Sequence, residues 1–189
     1  AIKDGRFDHQ ISPVIVPQRQ GDPVAVSQDE GPREDSTMER LAQLRPVFKK
    51  DGTVTAGNAS TINDGAAAVV VMSAEKAAER GIKPRMRWHT RGVAGVEPAI
   101  MGIGPVPATH KALARANLSL QDIDLIEINE AFAVQTLSVI KTLKADPEKV
   151  NVRGGAVAIG HPLGASGARI TTTLLHLMRD QGASPVSYT

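Results

Sequence analysis

Residues 154–169 read GGAVAIGHPLGASGAR, a stretch in which five glycines surround one histidine, His161. Its apolar part, 154–160, predicts a core strand flanked by glycines, and residues 165–180 predict a helix with one apolar stripe. Glycine lets two backbones approach closely, and Pro162 restricts the backbone beside the histidine. The stretch therefore predicts a strand-to-helix junction whose backbone can cradle an oxyanion or another ligand next to an imidazole.

Predicted strands and helices alternate along most of the chain. Residues 66–72 form an apolar run without alternation, as expected of a strand that is buried on both faces. The other predicted elements are strands at 11–16, 24–26, 86–96 and 124–128, a helix capped by Ser36 and Glu39, helices at 74–80 and 108–116, and a helix that points Phe132, Leu137, Ile140 and Leu143 inward. This alternation predicts an α/β fold with ligand sites at the C-terminal ends of strands.

The composition is that of an ordinary soluble protein. The 189 residues include 22 Lys and Arg against 20 Asp and Glu, a net charge of +2, so we expect no nucleic-acid or acidic-membrane partner. The longest apolar run, 66–72, is too short to cross a membrane. The first residues lack the charged and apolar stretches of a secretory signal, and an intracellular protein is expected.

Cysteine is absent from the sequence. Disulfides, thiolate metal sites and a cysteine nucleophile are therefore excluded within these 189 residues. The five histidines show no spacing typical of metal ligands, so no metal site is expected.

Polar residues follow two predicted strands, Asn129 with Glu130 after one and His161 after the other. From position alone, a strand-end asparagine is more often a helix cap, and a lone histidine more often a structural hydrogen-bonding residue. Gly160, Gly164 and Gly167 lack the G-x-G-x-x-G spacing of a dinucleotide site, and no acidic residue follows at a second strand end. A dinucleotide site is therefore disfavoured.

Longer motifs point to one family. They are AGNAS at 56–60, NDGAAA at 63–68, MGIGPVPA at 101–108, NEAFA at 129–133 and the stretch at 154–169. Together, from the first residues to about Gly182, they resemble the thiolases, the acetyl-CoA acyltransferases and acetyltransferases. The resemblance implies an α/β fold that is half of a layered αβαβα core with a parallel or mixed sheet. Residues 1–62 would end an inserted loop domain that binds coenzyme A, and 63–189 would form the C-terminal domain, incomplete at its C-terminus.

The resemblance also implies a reaction and the residues that perform it. Thiolases transfer acyl groups between coenzyme A thioesters in fatty-acid and lipid metabolism, by Claisen condensation or its reverse, through a cysteine thioester. In that scheme His161 activates the nucleophilic cysteine and donates a hydrogen bond to the thioester oxygen. Asn129 holds a water that completes this oxyanion hole. Both roles are physically reasonable, because a neutral imidazole accepts a thiol proton and positioned donors stabilise charge on oxygen.

Binding residues follow from the same resemblance. Ser60, with Ala56 and Ala59 in its segment, matches the contact to the pantetheine arm of coenzyme A. Met101 and Phe132 match residues that line the acyl pocket, and a plain core role is their alternative. The resemblance implies coenzyme A and acyl-CoA as substrates, no permanently bound cofactor, and a homodimer or homotetramer.

Several residues depart from the family pattern. Both catalytic cysteines would lie outside this chain, one in an N-terminal half before Ala1 and one after Thr189. Arg153 stands where Asn is usual, and Thr61 where Gly is usual. We therefore expect the C-terminal part of a thiolase that is inactive alone, cytoplasmic if bacterial and mitochondrial or peroxisomal if eukaryotic. The alternative is a noncatalytic thiolase-like module that binds acyl-CoA or a partner subunit.

Overall fold

The described residues form two small sheets and six α-helices. The computed structural model describes residues 1–184 and 186–188. In chain order the elements are β1 (Val14–Val16), β2 (Val24–Val26), α1 (Met38–Ala42), α2 (Ala74–Glu79), α3 (Pro105–Ala116), β3 (Leu125–Glu127), α4 (Ala133–Leu143), α5 (Ala156–Ile159), α6 (Ser166–Gln181) and β4 (Val186–Tyr188). Short 3-10 turns cover Pro98–Ile103, Leu120–Asp122 and Pro147–Lys149.

Strand β3 lies at the centre of the core, with helices on both faces. It pairs in parallel with β4, and Ile126 forms an isolated parallel bridge to Val150 at the other edge. Leu125 packs against Leu174 and Leu177 of α6. The opposite face packs against α3 and α4 in a cluster made of Val106, Ile123, Ile126, Ile128, Val139, Leu143, Ala145 and Val150. The predicted strand at 124–128 is therefore confirmed.

Local capping signals predict several element ends correctly. Ser73 caps α2 by accepting a hydrogen bond from the backbone N–H of Lys76. Helix α3 ends at Asn117 and α6 at Gly182, both in the left-handed conformation that stops a helix. The predicted strands at 11–16 and 24–26 are also confirmed as β1 and β2, which pair antiparallel with Val14 opposite Val26.

Two details of the helix predictions are wrong. Helix α1 is capped by Thr37 rather than Ser36, because the Thr37 side chain accepts the hydrogen bond from the Arg40 N–H. Leu137, expected to point inward from α4, is 64% exposed. The buried face of α4 is formed instead by Thr136, Val139 and Leu143.

The predicted strand at 154–160 is a short helix, α5. The backbone N–H of Val157 donates a hydrogen bond to the Glu130 carboxylate. The N–H groups of Ala158 and Ile159 both donate to the Gly155 carbonyl. Glu130 is distant in sequence, so this tertiary contact overrides the strand tendency of the apolar residues.

Residues 66–72 and 86–96 are not strands, contrary to both predictions. A strand needs neighbouring backbone, and both edges of β3 are already used by β4 and Val150. The first segment is instead irregular and open, with Val70 86% and Val71 84% exposed. An apolar run of this kind is a surface that other protein normally covers.

None of the helices in the described ranges is long and apolar enough to cross a membrane.

We expect the 189-residue chain alone to self-associate through residues 66–72, because contiguous exposed apolar surface drives association. Sedimentation velocity of the double variant Val70→Ser and Val71→Ser should show less association than the unchanged chain. Val93→Ser, which removes an exposed valine elsewhere, is the matched control and should leave association unchanged. A monodisperse monomer at high concentration of the unchanged chain would contradict this expectation.

Candidate active site

The structure brings Asn129 and His161 together. Asn129 follows the end of β3, and His161 follows α5 and Gly160, whose φ of 89° is open to glycine and strained for other residues. The Asn129 Nδ2 atom lies 3.4 Å from His161 Nε2. Both residues are half-buried, so the imidazole and the amide form a polar pair at the edge of the core.

Ser166 and Asn129 contact the two ring nitrogens of His161 from opposite ends. The buried Ser166 Oγ lies 2.6 Å from His161 Nδ1 and donates to the carbonyl oxygen of Pro162 at 3.1 Å. The Asn129 amide nitrogen can only donate, so in the neutral imidazole Nε2 accepts from it and the proton lies on Nδ1, from which Oγ accepts a hydrogen bond. The Nε2 lone pair thus faces Asn129 and is the position on the ring that can take up a proton.

Sequence reasoning did not single out Ser166. It lies five residues after His161 at the start of α6, and a serine inside the glycine-rich stretch was the available signal. Pro162, which accepts its proton, directly follows the histidine, so the stretch folds back on itself around the imidazole.

The segment that carries Ser60 packs against both halves of this pair. The Ser60 N–H and hydroxyl both donate to the Ala131 carbonyl at 3.0 Å, and Ala59 bridges to Phe132. The His161 N–H donates to the Thr61 carbonyl, also at 3.0 Å. The segment thus holds the backbone on either side of the Asn129–His161 pair.

The other predicted binding residues occupy more open positions. Ala56 is exposed and Ala59 half-buried. Met101 is 76% exposed on the 3-10 turn Pro98–Ile103, so the plain core role does not apply to it here. Phe132 is half-buried, and its ring meets that of Phe48 edge to face at 5.8 Å. Their assignment to an acyl pocket stays a prediction.

The buried charge of Arg153 is balanced by an ion pair with Asp180. The Arg153 guanidinium is buried, bonds the Asp180 carboxylate at 2.5 Å and donates to the Arg6 carbonyl at 3.0 Å. Hydrogen bonds from Arg179 and Arg153 lower the pKa of Asp180 to about 2. The charge that departs from the family pattern therefore ties the first residues of the chain to the end of α6.

Glu127 is a buried acid two residues before Asn129. Burial raises its pKa to about 7, with Glu130 adding to the rise and Arg169 and Arg153 opposing it. Within the described part of the chain, neither Glu127 Oε1 nor Arg169 Nε has a hydrogen-bond partner. In the same part of the chain, no three His, Asp or Glu side chains form a group that could hold a metal ion.

Two cavities in the described part of the chain are defined by their lining residues. One of about 400 Å³ is lined by residues 63–67 and 162–165, and the second of these stretches directly follows His161 in the sequence. A larger one of about 630 Å³ is lined by residues 86–92 together with α3 and α6, away from Asn129 and His161. Among the described residues, neither of these two cavities has Asn129 or His161 in its lining.

Comparison with known proteins defines the class. A sequence model described as "Thiolase, C-terminal domain" matches residues 82–187, and one described as "Thiolase, N-terminal domain" matches residues 1–75. The chain belongs to the thiolase family and has its α/β fold. The division predicted at residue 62 stays a prediction.

Individual relatives support the same family assignment. A probable acetyl-CoA acyltransferase of Staphylococcus aureus is 58% identical over 181 residues, 96% of this chain and 46% of the relative. The crystal structure of a Bacillus anthracis acetyl-CoA acetyltransferase superposes with a TM-score of 0.94 at 54% identity, over 97% of this chain and 46% of that one. Human mitochondrial 3-ketoacyl-CoA thiolase in complex with CoA gives a TM-score of 0.86 at 45% identity, over 97% and 45%. The chain thus spans about half the length of these relatives.

The raised pKa of Glu127 should make stability fall as pH rises. Between about 4.5 and about 7 the folded chain holds a proton that the unfolded chain has lost, so the free energy of unfolding decreases with pH. Glu127→Gln removes this dependence. Its stability relative to the unchanged chain should rise by about 3 kcal/mol between pH 4 and pH 8 in urea unfolding. A difference independent of pH would contradict the burial effect.

Ser166→Ala should release the proton of His161 from Nδ1. Without the Oγ acceptor, nitrogen NMR of His161 should show a mixture of the two neutral tautomers in place of the Nδ1–H form. Ser138→Ala is the matched control, because the Ser138 hydroxyl donates only to a carbonyl within α4, that of Val134. An unchanged tautomer in Ser166→Ala would show that Ser166 does not set it.

Proposed function

We propose that this chain is the C-terminal part of a thiolase that transfers acyl groups between coenzyme A thioesters by Claisen condensation or its reverse. The observation that carries the proposal is the Asn129–His161 pair, with the imidazole oriented by Ser166. Family membership supports the reaction class, and relatives named acetyl-CoA acyltransferase support the substrate class.

His161 would serve as the base for a cysteine supplied by the rest of the protein. The cysteine S–H gives its proton to Nε2, and the thiolate forms a bond to the acyl carbonyl carbon. When the carbon–sulfur bond to coenzyme A breaks, the departing thiolate takes the proton back. Because Nδ1–H is held by Ser166, Nε2 can accept and return this proton without changing the imidazole orientation.

Asn129 would stabilise the charge that develops on the thioester oxygen. It would do so by holding a water beside the donor on His161, since Asn129 Nδ2 lies 3.4 Å from His161 Nε2 and positioned donors stabilise an oxyanion. The water that completes the oxyanion hole is proposed from the family resemblance.

Coenzyme A would bind along the segment that contains Ala56, Ala59 and Ser60, with the acyl group near Met101 and Phe132. A human relative has been crystallised with CoA, which supports this substrate. The hydrogen bond from the Ser60 hydroxyl to the Ala131 carbonyl supports this proposal, because Ala131 lies two residues after Asn129. We propose residues 1–62 as the end of the coenzyme A-binding loop domain and residues 63–189 as the C-terminal domain.

The complete enzyme would include an N-terminal half and both cysteines. It would work in fatty-acid and lipid metabolism as an intracellular homodimer or homotetramer, without a permanently bound cofactor. The exposed run at 66–72 supports the missing half, since it needs a cover that the described residues do not provide.

The alternative is a noncatalytic module that binds acyl-CoA or a partner subunit, and the absence of cysteine favours it. The mass of the natural protein and its flanking reading frame separate the two. A polypeptide about twice as long as this chain, with cysteines on both sides, supports the enzyme. A natural product of 189 residues supports the module.

His161→Ala in the full-length protein should lower thiolysis at least about a hundredfold, on the scale of losing a catalytic base. Asn129→Ala should lower kcat less, with substrate binding largely kept. Thiolysis of a 3-ketoacyl-CoA measures both. His110→Ala, which removes an exposed imidazole on α3, is the control and should retain activity. Turnover near that of the unchanged enzyme in His161→Ala would contradict the assigned role.

A further inference from the structure

The peptide group at the end of β3 lacks a strand neighbour on one edge. Val150 bridges to Ile126, and the Asn151 N–H donates to the Ile126 carbonyl at 2.9 Å. The chain then turns away at Asn151, where φ is 47°. Its backbone therefore cannot continue alongside Ile128, the residue that directly precedes Asn129.

The Asn151 side chain takes the place of the missing strand. Its Oδ1 accepts a hydrogen bond from the Ile128 N–H at 2.7 Å, and its Nδ2 donates to the Ile128 carbonyl at 2.9 Å. A carboxamide has the same donor and acceptor groups as a peptide, so it extends the pairing by one residue. Both backbone groups of buried Ile128 are thereby satisfied.

The second Nδ2 proton of Asn151 connects to the other half of the site. It is donated to Glu130 Oε1 at 2.8 Å, and Glu130 Oε2 accepts from the N–H of Val157 in α5 at 3.0 Å. A Cβ at residue 155 would lie 2.4 Å from the Glu130 carboxyl carbon, so glycine is needed for this approach. Helix α5 leads directly to His161.

We propose that Asn151 is a positioning residue that sets the separation of Asn129 and His161. It does so by fixing Ile128 before Asn129 and, through Glu130, the start of α5 before His161. This inference rests on the proposed function, because the spacing of the pair matters only if the two residues act together.

Asn151→Asp in the full-length protein tests the inference. The change keeps size and backbone, but it removes both Nδ2 donors and places a carboxylate oxygen against the Ile128 carbonyl and the Glu130 carboxylate. We expect kcat for thiolysis to fall about tenfold to a hundredfold, with KM changed less than about threefold, as for a displaced catalytic pair. Asn151→Gly tolerates the positive φ and loses the hydrogen bonds without repulsion, so its loss should be smaller.

The pH dependence distinguishes positioning from general destabilisation. Two facing carboxyl groups share a proton as the pH falls, which restores a hydrogen bond between residues 151 and 130 in the variant. The ratio of variant to unchanged kcat should therefore rise from pH 8 to pH 6. Glu127 titrates in the same range, because its pKa is about 7 and Glu130 contributes to that rise, so both proteins are compared in a Glu127→Gln background. Arg153 and Arg169 face the same carboxyl groups in both proteins.

Asn117→Asp is the matched control, because Asn117 also has a positive φ, 54°, but lies at the end of α3 away from the pair. It should retain kcat at every pH. A kcat for Asn151→Asp within twofold of the unchanged enzyme, or a ratio that does not change with pH, would overturn the inference. If the unchanged full-length protein shows no acyl transfer, the proposed function fails instead. In that case, crystal structures of both Asn151 variants test the inference. Unchanged positions of Asn129 and His161 in these structures would overturn it.

Discussion

Helices lie on both faces of β3, so the peptide groups of this strand must find their partners within the protein. β4 and Val150 satisfy its two edges, and the Asn151 side chain satisfies Ile128 at its end. Asn129 therefore leaves the core at a defined point. There it contacts the imidazole of His161, which lies between α5 and the start of α6.

Short-range signals predicted the elements whose ends depend on neighbouring residues, such as the Ser73 cap and the left-handed ends at Asn117 and Gly182. Two segments whose conformation depends on distant residues are predicted wrongly, although strand β3 is predicted correctly. Residues 66–72 have the composition of a buried strand but no strand to pair with among the described residues. Residues 156–159 have the composition of a strand, but Glu130 binds the N–H of a helical turn there.

The meeting of Asn129 and His161 could be predicted, because both follow apolar segments and because the motifs resemble one family. The residues that position this pair could not be predicted from the sequence. Ser166 acts through its Oγ atom, which contacts His161 Nδ1 across a turn of the chain. Asn151 acts through its side chain, which takes the hydrogen-bonding place of a neighbouring strand. The raised pKa of Glu127 likewise comes from burial under α6, which only the packed structure defines.

Residues 58–61 contact the segments that carry Asn129 and His161, and these contacts join the two matched domains. Residues 58–61 lie in the range of the N-terminal thiolase domain, whereas Ala131, Ala133 and His161 lie in that of the C-terminal domain. The hydrogen bond from the His161 N–H to Thr61 crosses this boundary. Slow amide exchange at His161 would therefore report that the two domains are docked. A polypeptide cut between residues 75 and 82 would have to reassemble before its histidine is held in place.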